Sequence, residues 1–151
     1  MSEQQAPVFT IEKIYVKDLS VEIPNAPEIF LEREQPNIEV QVSTGANKVS
    51  DGIFQSFITV TVTSKIGEKV MFLVEATQAG IFQIRNVPDA DLEPVLGIGC
   101  PNIIFPYVRE TISDVVTRAG FPPLMLAPVN FETLYAQQKA QPAGTEQSTT
   151  H

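Results

Sequence analysis

Residues 53–66 alternate between apolar and hydroxylated side chains with a period of two, which is the repeat of a β-strand with one buried face. Similar alternation predicts three further strands, at residues 8–23, 37–45 and 68–78. Gly45 and Asn47 predict a turn after the second strand, Gly67 predicts a tight turn after the third, and Gly80 with the region of Pro88 predicts the end of the fourth. Because short turns join the last three strands, we expect an antiparallel sheet.

The first strand changes phase twice, near Lys13 and again near Lys17, which predicts either one long strand with β-bulges or a twisted edge strand. In its second half two faces are distinct. One carries Leu19, Val21 and Ile23, and the other carries Asp18, Ser20 and Glu22. This half therefore has one apolar face and one polar face.

Helical spacing follows the strands. Apolar residues recur at helical intervals over residues 101–119, and Gly120 with the proline after it ends that helix. Asn130 is a good N-cap and predicts the start of a second helix. Residues 24–36 contain three prolines and form a long connection between the first two strands, not a hairpin turn. The pattern therefore predicts four strands followed by two helices.

A chain of 151 residues is long enough for one ordinary domain with a hydrophobic core. We expect a single domain over residues 8–140, with residues 1–7 and 141–151 as flexible polar tails.

Two connections carry more apolar side chains than a solvated loop needs. Residues 121–131 read FPPLMLAPVNF, in which three prolines prevent regular structure. The long connection at residues 24–36 contains the apolar triplet of residues 29–31. We expect this surplus either to pack beneath the core or to form an oligomer interface or a groove for apolar ligands.

The sequence contains few residues that could support catalysis. The only histidine is His151, in the predicted tail, so no histidine can act within the fold as a base or a metal ligand. Cys100 is better interpreted as a small buried apolar residue than as a nucleophile. Gly97 and Gly99 lack the third glycine of a dinucleotide loop. We expect no enzyme activity, no cofactor and no metal site.

The formal net charge of −8 argues against nucleic acid and favours basic protein segments as partners. A single cysteine indicates a reducing compartment. The first residues, MSEQQAPVF, lack the pattern of a secretory signal, and no stretch is apolar enough to span a bilayer. We expect a cytoplasmic protein.

The polar sheet face is acidic and hydroxylated. Asp18, Ser20 and Glu22 lie there with Leu73, Glu75 and the threonines of the third strand. Two interpretations are open: an ordinary solvated face, or a docking site for a basic segment with Leu73 as an apolar anchor.

Four segments resemble the SecB family of bacterial protein-export chaperones. They are IYVKDLSVEIPNAP at residues 14–27, GIF at residues 80–82, CPNIIFPYVRE at residues 100–110 and FPPLMLAPVNFETLY at residues 121–135. The resemblance covers residues 8–136. It implies an α+β fold: a four-stranded antiparallel sheet with a long crossover between the first two strands, followed by one long helix and a C-terminal helix. It implies a homotetramer, built as a dimer of dimers, in which the long helices pack between two pairs of sheets. It also implies an ATP-independent holdase that binds unfolded precursor proteins and passes them to the SecA motor ATPase.

By position, the resemblance assigns SecA binding to Asp18, Glu22, Leu73 and Glu75. The groove for unfolded clients is expected between the crossover and the second helix. Its candidate residues are Phe30, Leu31, Val40, Val42, Leu124, Leu126 and Phe131. The alternatives from other classes are a hot-dog-like thioesterase, whose central helix normally precedes most of its sheet, and a small-molecule carrier, which needs a closed cavity.

Overall fold

In the computed structural model, which describes residues 5–140, a single antiparallel sheet is followed by helices. The strands are β1 (Val8–Glu22), β2 (Asn37–Ser50), β3 (Ile53–Ile66) and β4 (Lys69–Arg85). Their order across the sheet is β1-β4-β3-β2, so β1 and β2 are the two edges. The crossover from β1 to β2 contains a short 3₁₀ turn, Glu28–Leu31. The predicted α+β fold is confirmed.

The helical part forms one path after the sheet. α1 (Asp89–Pro94) continues through a π-helical turn, Val95–Gly99, into α2 (Cys100–Arg118), and α3 (Phe131–Ala140) follows the proline-rich segment. α2 packs on the faces of β3 and β4. We call the sheet face under α2 the inner face and the opposite one the outer face. The core lies between α2 and the inner face, where Val60, Val74, Phe82, Ile104 and Val108 are fully buried.

The turn predicted at Gly45 and the strand end predicted at Gly80 are wrong. β2 continues past Gly45 to Ser50, and β4 continues past Gly80 to Arg85. Both glycines lie beneath aromatic rings: a Cβ on Gly45 would collide with the ring of Phe57, and one on Gly80 would come within 2.6 Å of the ring of Phe82. These glycines therefore serve ring packing inside strands. The turn at Gly67, whose φ is 61°, is confirmed.

Both predicted bulges of β1 are present. The pairing of β1 with β4 slips between Ile11 and Lys13 and again between Val16 and Asp18. Each slip inserts one extra residue and exchanges the faces of the residues that follow. The apolar side chains of β1 thereby stay on the inner face along its length.

The end of α2 is fixed by a Schellman motif. The Phe121 amide donates to the Val116 carbonyl (3.2 Å), and the Gly120 amide donates to the Thr117 carbonyl (3.1 Å). Gly120 takes the left-handed conformation that this motif requires, with φ of 98°. The motif therefore sets the direction in which the chain leaves α2, and with it the place of Phe121.

α3 begins as predicted. The side chain of Asn130 accepts a hydrogen bond from the Thr133 amide (3.0 Å), which is an N-cap. Phe131 is 2% exposed and meets Phe105 of α2 edge to face, with ring centroids 5.7 Å apart. Phe131 thus anchors the first turn of α3. The predicted tail at residues 141–151, with His151, lies outside the described residues, as do residues 1–4.

Candidate functional site

A first apolar cavity lies between the crossover and the start of the proline-rich segment. We call it the crossover cavity, and its volume is about 490 Å³. Its apolar lining consists of Ile29, Phe30, Ile38, Met71, Phe72, Phe121 and Leu124, with prolines beside them. Glu32, Arg33 and Glu34 supply a charged border. The cavity is suited to apolar side chains from another molecule.

Three phenylalanine rings build one wall of the crossover cavity. Phe121 stacks on Phe30 with centroids 5.2 Å apart and meets Phe72 at 4.9 Å. Phe72 and Phe121 are buried, whereas Phe30 is 45% exposed. Phe30 is therefore the ring of this stack that an incoming side chain can contact.

A second apolar cavity lies beside α3. We call it the helix cavity, and its volume is about 390 Å³. Its apolar lining consists of Val40, Val42, Phe105, Leu126, Ala127, Pro128, Val129 and Leu134. Thr133 and Gln137 of α3 and the cap residue Asn130 add polar groups at its border. The two cavities lie at different points along the same proline-rich segment.

The residues predicted for the client groove divide between these cavities. Phe30 and Leu124 line the crossover cavity, and Val40, Val42 and Leu126 line the helix cavity. Leu31 and Phe131 line neither. Leu31 is 76% exposed, and Phe131 is buried at the base of α3.

Sequence reasoning missed Phe72, Phe105 and Phe121 as cavity residues. Phe121 is the first residue of FPPLMLAPVNF, so its segment carried a signal. Phe72 and Phe105 follow ordinary strand and helix periodicity, and nothing in that pattern separates a core ring from a cavity wall.

On the outer face, the residues assigned to SecA binding lie together. Glu22 of β1 pairs with Leu73 of β4, and Asp18 lies four residues back on the same face of β1. Glu75 pairs with Ser20 of β1 and with Thr61 of β3. We call Asp18, Glu22, Leu73 and Glu75 the acidic face. Its three carboxylates are exposed and Leu73 is partly buried.

The inner side of β1 is apolar and uncovered. We call this row the apolar β1 stripe: Phe9, Ile11, Val16, Leu19 and Val21. These side chains are 42–47% exposed, because α2 packs on β3 and β4 and leaves β1 open. β1 is also an edge strand with unpaired backbone groups. Both features are typical of an interface with another chain.

Cys100 is fully buried at the start of α2, and burial raises the pKa of its thiol to about 12. At pH 8 the thiolate fraction of such a group is about one in ten thousand, and the thiolate is the reactive form. We therefore expect Ellman's reagent to leave the folded protein unmodified at pH 8 and to titrate one thiol per chain after unfolding. Rapid reaction of the folded protein would contradict this expectation.

Among residues 5–140 no group of histidine, cysteine and carboxylate side chains is arranged to hold a metal ion. None of the helices described for the chain is both long and apolar enough to cross a bilayer.

Apolar cavities walled by a sheet edge and by proline-rich loops are typical of a protein that binds apolar segments of other molecules. A profile of the family described as SecB, preprotein translocase subunit SecB, matches residues 2–142. The protein-export protein SecB of Chromobacterium violaceum is 62% identical over 145 residues, which are 95% of this chain and 97% of that protein. The protein of the same name from Thiobacillus denitrificans is 62% identical over 151 residues, covering 98% and 99% of the two chains. The chain therefore belongs to the SecB family.

A solved structure shares the fold. A SecB-like chaperone of Mycobacterium tuberculosis, in complex with a peptide from an antitoxin, superposes with a TM-score of 0.67. The superposition covers 80% of this chain and 90% of that one at 15% sequence identity, so the likeness concerns the fold alone. Family membership confirms the prediction of a protein-export chaperone, as opposed to an enzyme. The thioesterase alternative is wrong, and four strands precede the long helix, as predicted.

Proposed function

We propose that the protein is an ATP-independent holdase that binds unfolded precursor proteins and keeps them competent for export. The observation that carries the proposal is the pair of apolar cavities walled by irregular loops. Unfolded chains expose apolar and aromatic side chains that a folded partner does not, so these cavities select the non-native state.

Two sites of moderate affinity per chain suit the binding of unfolded clients better than one site of high affinity. Each cavity has room for a few side chains, and a client that fills several gains avidity without a fixed sequence. Leu126 and Leu134 offer apolar contacts, and the prolines restrict the conformation of the loop backbone. Binding is then strong to long unfolded segments and weak to folded proteins.

We expect the protein to suppress aggregation of a client diluted from denaturant, without ATP, at one tetramer per client. The cavities remove exposed apolar segments from the pool that associates. Light scattering measures aggregation, and size exclusion with light scattering detects the complex. A full aggregation rate at this ratio would reject the holdase proposal, and native folded client added in excess should not compete.

The acidic face is proposed as the docking site for SecA, through a basic segment of that motor. Three exposed carboxylates surround Leu73, so the face offers both charge and an apolar contact to such a segment. The face lies across the sheet from α2, whereas Val42 and Phe72 of the cavities point to the inner side. Client and motor can therefore bind at the same time.

The active particle is proposed to be a homotetramer, a dimer of dimers. The apolar β1 stripe and the open edge of β1 give each chain a surface that assembly would cover. We expect light scattering at micromolar concentration to give four times the chain mass of 16.6 kDa. Leu19→Asp places a charge in the stripe and is expected to lower that mass.

Ser20→Asp is the matched control for assembly. It adds the same charge one residue away, on the outer face, and should leave the mass unchanged. A parent protein of monomer mass, or equal masses for the two variants, would contradict assembly through the stripe.

The domain is proposed to span residues 8–140. The proposed location is the cytoplasm, where precursors are made, and no direct insertion into the membrane, nucleic acid or cofactor is involved.

A further inference from the structure

The outer side of β1 carries two blocks of opposite charge. The acidic block, Asp18 and Glu22, belongs to the acidic face. The block before it, which we call the lysine block, contains Lys13 and Lys17 with Tyr15 between them. Tyr15 pairs with Ala79 of β4, which pairs in turn with Phe57 of β3, so the lysine block lies on the same face of the sheet as the acidic block.

The two bulges of β1 create this arrangement. If the alternation of faces continued unbroken from Phe9 and Ile11, Lys13, Tyr15 and Lys17 would lie on the inner face. The register shift after Ile11 places them on the outer face instead. A second slip, after Val16, keeps Asp18 on the outer face as well. Bulges commonly re-aim side chains, and here they put both charge blocks on one surface while the apolar residues stay inside.

Lys17 is held in place. Its Nζ lies 5.4 Å from the ring centroid of Phe57 and donates a hydrogen bond to Oε1 of Gln55 (3.3 Å). Gln55 is only 7% exposed; it also accepts from the Tyr15 hydroxyl and donates to Oδ1 of Asn47 (2.8 Å). A cation fixed by a ring and a buried amide loses less freedom on binding than an ordinary surface lysine.

Neither charge block is neutralised by an ion pair within the part of the chain that the structure describes. The ion pairs there involve other side chains, and Lys13, Lys17, Asp18 and Glu22 take part in none of them. Lys17 and Asp18 are consecutive residues and still form no ion pair. The blocks therefore remain available to a charged partner.

We propose that the docking segment of the motor protein is bipartite, with basic residues over the acidic face and acidic residues over the lysine block. This inference rests on the proposed docking function and extends the site to Lys13, Tyr15 and Lys17. The lysine block attracts the acidic part of the segment and repels the basic part, which fixes the register of the segment along β1. The block centres, Tyr15 and Ser20, pair with Ala79 and Glu75, which are four residues apart on β4, or roughly 13 Å along an extended strand.

Two synthetic peptides of equal length with blocked ends test the proposal on the full-length protein. The first has four basic residues followed by serine and glycine, and the second replaces two of those neutral residues, about four positions beyond the basic centre, with aspartate. We expect the parent to bind the bipartite peptide about fivefold tighter at low ionic strength. The advantage should shrink at high salt, because exposed charges are screened.

Lys13→Glu/Lys17→Glu should reverse the preference, binding the basic peptide tighter and the bipartite peptide weaker. The control Lys48→Glu/Lys69→Glu makes the same change in net charge at lysines outside the face and should keep the parent preference. Binding of the basic peptide with no advantage for the bipartite one overturns this inference and leaves the docking proposal standing. If neither peptide binds, both the docking proposal and this inference are overturned. If the control variant shows an equal reversal of preference, net charge explains the effect and the role of the lysine block is overturned.

Discussion

Phe30→Asp is expected to weaken binding of an unfolded client at least about tenfold. Phe30 is the exposed ring of the stack in the crossover cavity, with Phe121 at 5.2 Å behind it. A carboxylate at this position removes the aromatic contact and places a charge where an apolar side chain of the client would be buried. Each chain of the proposed tetramer carries the change, so the loss multiplies for a client that spans several cavities.

Leu31→Asp is the matched control for Phe30→Asp. Leu31 is the next residue, is 76% exposed and lines neither cavity, so the same charge there should change client affinity less than about twofold. Fluorescence anisotropy with a labelled, permanently unfolded client measures both affinities, and circular dichroism on heating checks that each variant is folded. Equal losses in the two variants would show that net charge, and not the crossover cavity, governs client binding.

Most of the fold prediction, including the two bulges of β1, was based on strand periodicity. A phase change in the apolar pattern has one local cause, an extra residue, so it could be seen at Lys13 and Lys17 without any partner strand. The glycine predictions failed for the opposite reason. Whether Gly45 and Gly80 turn the chain or lie beneath Phe57 and Phe82 depends on the rings they pack against.

The long helix, predicted over residues 101–119, spans Cys100–Arg118, but the sequence did not predict that the helical path leading into it from Asp89 is continuous. Pro94, Pro101 and Pro106 all lie within a continuous helical path, which includes the π-helical turn Val95–Gly99. Prolines and π turns are the usual places where a helix tolerates a lost backbone hydrogen bond. A proline in a sequence signals a break, and only tertiary packing shows that the helix continues beyond it.

The residues predicted for one client groove lie at two separate cavities, except for two that line neither. FPPLMLAPVNF was identified as apolar chain on an irregular backbone, and the structure shows it contributing Phe121 and Leu124 to one cavity and Leu126 to the other. The stack of Phe30, Phe121 and Phe72 joins three distant segments, so no local pattern could reveal it. The acidic face, by contrast, needed only strand alternation and register.

Glu75→Lys is expected to weaken binding of SecA about tenfold at low ionic strength and to leave client binding unchanged. Glu75 is exposed between Ser20 of β1 and Thr61 of β3, in the middle of the acidic face. The substitution changes the local charge by two units and sets a cation against the basic segment proposed as the partner. Because the cavities open on the inner side of the sheet, the affinity for the client should not change.

Glu68→Lys is the control that distinguishes an effect of the acidic face on SecA binding from an effect of the net charge of the protein. Glu68 is exposed in the turn between β3 and β4, away from the acidic face, and its substitution alters the net charge equally. Titration calorimetry at two salt concentrations should show near-parent affinity for Glu68→Lys. For Glu75→Lys it should show weaker binding with a smaller salt dependence, since fewer favourable charge contacts remain to be screened. Parent-like affinity in Glu75→Lys would place the SecA site elsewhere, and equal losses in both variants would mean that the acidic particle attracts SecA through its overall charge.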